Sequence, residues 1–214
     1  MIIAIDGPSA AGKSTVAKLL AKELGVEYID TGAMYRAVAL KIVRDGTDTD
    51  DAVALAALLD RTDVDLAGTQ VLLDGEDVSG LIRTEEVSMQ ASRVSAIPAV
   101  REKLVALQRE MGSRKSVVMD GRDIGSNVFP GAEYKFFITA SPEVRAGRRQ
   151  KELDGRGDKT SFEDVLEDVK KRDWDDSHRA LNPLVQTDDA VLIVTDDLGI
   201  EEVLKIALKY LQIS

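Results

Sequence analysis

Residues 7–15 read GPSAAGKST and follow directly on the apolar run MIIAI at residues 1–5. Gly7, Gly12, Lys13 and Ser14 satisfy the spacing G-x-x-x-x-G-K-[ST], and the segment VAKLLAKELG that follows has the composition of a helix. The strand–loop–helix context gives the spacing its meaning. Two glycines let the backbone curl so that successive N–H groups face a phosphate, and the helix behind them adds its positive end. Gly7, Pro8, Ser9, Ala10, Ala11, Gly12, Lys13, Ser14 and Thr15 are therefore read as the cradle of a nucleoside triphosphate. Lys13 would reach the β- and γ-phosphates, and the Ser14 hydroxyl would bind Mg²⁺.

The 214-residue chain is 44% hydrophobic and 31% charged, enough to bury one sizeable core. No apolar run approaches the ~20 residues of a bilayer span, and no secretory leader is visible, so a cytoplasmic protein is expected, with no membrane partner. Zero cysteines exclude thiol catalysis and disulfides, and a single histidine, His178, excludes a multi-histidine metal site. The formal charge of −10 opposes binding to a nucleic acid polymer, which needs a basic face, but leaves small nucleotides open.

Short apolar runs recur at MIIAID, VEYID, SVVMDG, YKFFITAS and AVLIVTDD, separated by helical patterns at roughly 14–24, 33–44, 50–59, 85–95, 98–112, 142–153, 161–177 and 199–211. That alternation predicts an α/β/α sandwich of three layers around a parallel sheet. Asp50, Ser141 and Ser161 are expected helix N-caps, and Gly25 a C-cap. Between about 62 and 82, alternating apolar and polar residues around glycine turns predict a small inserted antiparallel patch. The stretch ELDGRGDKT at 152–160 has the composition of a mobile tip, and 148–160 is read as an approximate lid on the single kinase-like domain.

In a parallel sheet ligands gather beyond the carboxyl ends of the strands, which singles out the arginines that follow them. Arg36 in DTGAMYR and Arg122 in GRDIG are placed to grip a second phosphate by paired hydrogen bonds. Arg148 and Arg149 open the segment leading into the tip and are read as catalytic lid arginines over the γ-phosphate, beside catalytic Lys13. Asp120 ends a strand and is, with Ser14, the expected Mg²⁺ ligand. Trp174 and His178 receive no role.

The series IDGPSAAGKST, DTGAMYRAVAL, GEDVSGLIRTEEVS, PAVREKL, DGRDIGSNVFP and RDWDDSHRALNPL resembles, in order and over almost the whole chain, the bacterial cytidylate kinase family. The resemblance implies a nucleoside-monophosphate kinase fold, transfer from MgATP to CMP or dCMP, and a nucleoside-monophosphate-binding insertion with a closing lid; a monomer is expected. It places Thr31, Arg36, Ser92, Arg101, Arg122, Asp123, Arg172, Asp176 and Arg179 around CMP. Arg36 and Arg122 would hold the phosphate, Asp123 and Ser92 would accept from the cytosine amino group, Arg101 would donate to the base, and Arg172 and Asp176 would face the sugar. A carboxylate suits the cytosine amine and opposes the carbonyl of uracil. Ala10 stands where many members have glycine, and Thr31 where some have serine. A kinase of another small acceptor, such as shikimate, shares the same cradle and is the alternative.

Overall fold

A computed structural model describes residues 1–211, divided into two compact units: one of Met1–Tyr28 together with the chain from Ser116 onward, the other of Ile29–Lys115. The first unit is built on strand β1 (Ile2–Asp6), which leads through the glycine-rich loop into α1 (Lys13–Leu24). The central sheet adds β2 (Glu27–Asp30), β6 (Val117–Gly121), β7 (Tyr134–Thr139) and β8 (Val191–Val194), in the order β2-β6-β1-β7-β8. β1 pairs in parallel with β6 and β7, and β7 with β8. The α/β class predicted from the alternation of apolar runs is thus found, with every expected strand present.

Parallel strands need both faces covered, and the central strands β1 and β6 meet that need by being largely apolar and buried along their length, whereas Leu192 and Val194 on the edge strand β8 are exposed. Ile3, Ile5, Val118, Phe136 and Ile138 form one buried cluster with Val16, Ala17 and Leu20 of α1 and Val203 and Ala207 of α8 (Ile200–Tyr210). Ala4 and Met119, paired in register, are equally buried with side chains on the opposite face. The unit is completed by α6 (Pro142–Asp154) and α7 (Phe162–His178), which share the small buried cluster Ala146, Val165 and Val169.

In the second unit, α2 (Thr31–Asp45) is followed by α3 (Ala52–Asp60), by an antiparallel sheet of β3 (Val64–Ala67), β4 (Gln70–Leu73) and β5 (Glu76–Asp77), and by α4 (Glu85–Val94) and α5 (Pro98–Arg114). The antiparallel patch lies where glycine turns and alternation placed it, but it shares its unit with four helices. Asp74 and Gly75, both at positive φ, make the two-residue turn between β4 and β5. The buried ammonium of Lys41 on α2 donates to the Asp74 carboxylate and to Arg61 O at 2.8 Å, fastening hairpin to helix.

Helix ends follow their caps. Ser141 and Ser161 accept from Val144 N and Asp164 N, and Gly25 closes α1 in the left-handed conformation, as expected. α2 begins earlier than its apolar periodicity suggests because Asp30 accepts from Ala33 N. The expected cap Asp50 is corrected to Asp51, whose carboxylate accepts from Val53 N and Ala54 N, both at 3.0 Å. Replacing Asp51 by alanine should therefore cost about 1 kcal/mol in urea unfolding, and Asp50→Ala a few tenths at most. Equal losses in the two variants would contradict the observed cap.

Candidate active site

The loop after β1 shows why it carries glycine. Gly7 has φ 144°, and a Cβ there would lie 1.9 Å from the Ile138 carbonyl oxygen, so no side chain fits without moving β7. Gly12, at φ 89°, leads into α1 without a side-chain cap, and the first turn of that helix contains no acidic residue. The N–H groups of that turn stay available to an anion. Between the two glycines, Ala10 holds φ 57°, the left-handed region where a Cβ costs about 1–2 kcal/mol.

Lys13 is 5% exposed and donates to Pro8 O at 2.6 Å, which folds its side chain back along the cradle. Burial, and then repulsion from Arg122, push its pKa down to about 7, against the pull of Asp120, Asp176 and Asp6. Ser14, one residue on, donates to Asp120 Oδ2 at 2.8 Å, and Tyr28 on β2 donates to Asp120 Oδ1 at 2.7 Å. Neighbouring ligands of an octahedral Mg²⁺ bound at about 2.1 Å lie about 2.9 Å apart. The spacing of the Ser14 hydroxyl and the Asp120 carboxylate fits that ion, completed by phosphate and water oxygens. Among the described residues no group of three or more histidine, cysteine or acidic side chains is placed to hold a metal ion.

β6 delivers the second set of groups to the same sheet edge. Asp6 is in register with Gly121, so the phosphate loop and the segment Gly121–Asp123 leave adjacent strands side by side. Arg122 donates through Nε to Asp176 Oδ2 at 2.7 Å, reaching α7 rather than its sequence neighbours Asp120 or Asp123. Burial works against the Arg122 charge, yet Asp176, Asp120 and Asp6 outweigh it and raise its pKa above the ordinary arginine value. Burial likewise pushes Asp176 up, but Arg122 foremost holds it below the carboxylate norm. Asp123, 5% exposed, accepts from Asn127 Nδ2 at 3.0 Å and lies 3.3 Å from the Arg179 guanidinium. Arg179 also donates to Asn182 O at 2.7 Å, and Arg172, half-buried on α7, has its pKa lowered by burial and by Arg122.

In the second unit the remaining candidates gather on α2, α4 and α5. Thr31 opens α2 and is buried; Arg36, a turn and a half later, pairs with Asp30 at 3.3 Å while its Nε is buried with no hydrogen-bond partner. Arg101 on α5 lies over the Tyr35 ring at 5.9 Å and donates to Ser95 O at 3.1 Å, three residues past half-buried Ser92. One guanidinium thus joins α2, α5 and the end of α4.

The lid arginines sit otherwise than a free basic helix face would place them. Arg148 donates to Thr195 Oγ1 at 3.0 Å and to Thr195 O at 2.6 Å, and the Thr195 hydroxyl in turn donates to Ala11 O at 3.4 Å. Arg149 pairs with Glu152 at 3.1 Å, one helical turn on. It is Arg145, given no role from sequence, that reaches the phosphate loop directly. Its Nη1 donates to Ser9 O at 3.4 Å, its Nε donates to Ala140 O, and Asp173 on α7 takes both terminal nitrogens. Arg145, Tyr28 and Asp6 are the site neighbours that sequence reasoning missed. A polar ring in the strand VEYID was the one available signal for Tyr28; a pairing across 28 residues leaves none for Arg145.

A parallel sheet whose first strand ends in an anion cradle, with lysine, hydroxyl, aspartate and paired arginines at one edge, defines a P-loop phosphotransferase. Residues 3–213 match the family model described as cytidylate kinase, and the chain belongs to that family. Proteins named cytidylate kinase from Caldanaerobacter subterraneus subsp. tengcongensis and Clostridioides difficile are 53% and 47% identical to it. These matches cover 95% and 96% of this chain, and 91% and 95% of theirs. Among solved structures, a shikimate kinase from Bacteroides thetaiotaomicron superposes with TM-score 0.53 at 14% identity, over 100% of this chain and 99% of its own, a likeness of fold alone.

The buried ammonium makes a trade between stability and function measurable. With a folded pKa near 7 against the ordinary 10.5, Lys13 carries a desolvated charge below pH 7 that the unfolded chain carries freely. Its cost is largest below pH 7 and fades as pH rises towards 10.5. Lys13→Met should therefore be more stable than the parent in denaturant unfolding at pH 6–7, the gap narrowing above pH 7. A Met variant less stable at neutral pH would contradict this electrostatic account.

Proposed function

We propose that the chain transfers the γ-phosphoryl group of ATP to CMP or dCMP, releasing ADP and CDP or dCDP. The observation that carries this reading is the register of β1 and β6, which sends the phosphate cradle and the Arg122–Asp123 segment out from adjacent strand ends. A donor held by the first lies beside groups suited to an acceptor phosphate and an aminopyrimidine in the second.

The roles follow from the chemistry. The loop Gly7–Thr15 holds the ATP phosphates by backbone N–H groups, and Lys13 follows the charge of the moving phosphoryl group, its protonation favoured once phosphate oxygens surround it. A bound Mg²⁺, held by Ser14 and Asp120, would supply neutralisation of the β- and γ-phosphate oxygens. Arg122 and Arg36 hold the acceptor phosphate; that phosphate is already an anionic nucleophile, so positioning and charge neutralisation, rather than a strong base, are what the chain contributes. Asp123 and Ser92 accept from the cytosine amino group, Arg101 donates to the base, and Arg172, Asp176 and Arg179 complete the nucleoside contacts. Arg148 and Arg149 would exchange Thr195 and Glu152 for the γ-phosphate as the 148–160 lid closes. The reaction is placed in the cytoplasm on free nucleotides, with a monomer as the working form. The net charge of −10 supports small nucleotides over a nucleic acid polymer.

An ADP-release assay with Mg²⁺ and ATP across CMP, dCMP, UMP, AMP and shikimate should give turnover with CMP and dCMP well above the others. Turnover greatest with shikimate would replace the reading by its alternative. Lys13→Ala should depress turnover with every acceptor, about 10²-fold or more, if it stabilises the transferring group. Asp123→Ala should instead erode the preference of CMP over UMP, because the wrong base then no longer faces an opposed carboxylate.

A further inference from the structure

We propose that Asp6 is a positioning residue for the acceptor: its carboxylate clamps the backbone just after Arg122 and Asp123 and thereby sets where those two side chains meet CMP. Asp6 is the last residue of β1, before the phosphate loop begins, and it is 6% exposed. Its Oδ1 accepts from Ile124 N at 2.8 Å and its Oδ2 from Gly125 N at 2.7 Å, two charge-assisted bonds spanning 118 and 119 residues of chain. These N–H groups open a five-residue π-type turn, Ile124–Val128, in which Asn127 N and Val128 N both return to Asp123 O. The Asp123 side chain does not cap the start of this turn, and a carboxylate on another strand takes its first N–H groups instead, while Phe129 N closes the far end on Ile124 O.

The carboxylate is there despite its environment. Burial drives the Asp6 pKa up to about 6, partly offset by the two backbone bonds. An aliphatic residue would fill the strand end without that cost but would leave the Ile124 and Gly125 N–H groups without these bonds. The opposite wall is equally tight. A Cβ on Gly125 would lie 3.4 Å from Asp6 Oδ2 and 3.1 Å from Lys135 Cδ. Lys135 has little room to yield, since its ammonium is tied to Pro130 O at 2.6 Å and to Asp189 at 2.7 Å. The turn is thus held between Asp6 and Lys135, and the residues in front of it inherit its position. Displacement of binding groups by about 1 Å can cost about 10²-fold in rate.

The proposal rests on the assignment of Arg122 and Asp123 to CMP, and three variants of the full chain separate the two. Asp6→Asn keeps the size but turns one acceptor into a donor facing an N–H. Gly125→Ala presses the same turn from the other side and leaves the Asp6 charge in place. Asp123→Ala tests the base contact itself. For Asp6→Asn and Gly125→Ala, KM for CMP should rise about 10- to 100-fold and the CMP-over-UMP preference should fall. In Gly125→Ala, which leaves every charge beside Lys13 in place, fluorescent-ADP titration should show the donor site within about twofold of the parent, the donor loop being shaped by Gly7 and Gly12 rather than by this turn. Parent-like KM and selectivity in Gly125→Ala, or a loss of ADP affinity matching the rise in KM for CMP, would overturn the clamp, whether or not Asp6→Asn folds. If Asp123→Ala leaves selectivity intact, the base assignment falls instead, and Asp6 is then judged on KM for CMP through Arg122 alone.

Discussion

Pairing of β1 with β6 sets Lys13, Arg122, Asp6 and Asp120 at one edge of the sheet, where Asp176 of α7 joins them, and the behaviour of the site follows from that crowding. None of them is comfortable alone. Burial pushes Lys13 down to about 7 and Asp6 up to about 6, while Arg122 and Asp176 keep their charges by holding each other at 2.7 Å. A cluster of this kind contributes little to stability, because desolvation offsets most of the attraction. On the proposed reading it supplies cations held in place before the phosphates arrive, Lys13 buried and Arg122 partly so. Such groups need little rearrangement at the moment of transfer.

Rigid supports around that edge keep the charges from simply collapsing on one another. Tyr28 and Ser14 occupy separate oxygens of Asp120, and Asn127 and Arg179 those of Asp123. Arg145 spends its whole guanidinium on Ala140 O, Ser9 O and Asp173, joining the phosphate loop to α6 and α7. The supporting groups come from strands and helices far apart in the chain, and they fix side chains whose own neighbours in sequence would have been equally available partners. Arg122 is the plain instance: its side-chain bond goes to Asp176 on α7 rather than to its sequence neighbours Asp120 or Asp123.

The phosphate loop carries a comparable tension in its backbone. Gly7 is dictated by the Ile138 carbonyl, whereas Ala10 occupies a left-handed position that glycine would fill without strain. Alanine there limits the freedom of the unfolded chain at the expense of local strain, two effects of similar size and opposite sign. The family to which the chain belongs is not endangered by such a substitution, since the N–H of Ala10 is as good a donor as that of glycine.

Much of the molecule was legible in one dimension. Central strands showed as apolar runs because the middle of a parallel sheet is buried on both faces; helices showed by their three- and four-residue spacing; and the phosphate loop showed because its geometry admits few residues at Gly7 and Gly12. Local chemistry decides those features, so local sequence records them. The extent of the second unit, the cap at Asp51 rather than Asp50, the partners of Arg122, Arg145 and Arg148, and the bonds from Asp6 to Ile124 and Gly125 were settled only by the folded chain. Each depends on which distant backbone or side chain arrives within about 3 Å, and nothing in the spacing of residues along a chain encodes that distance.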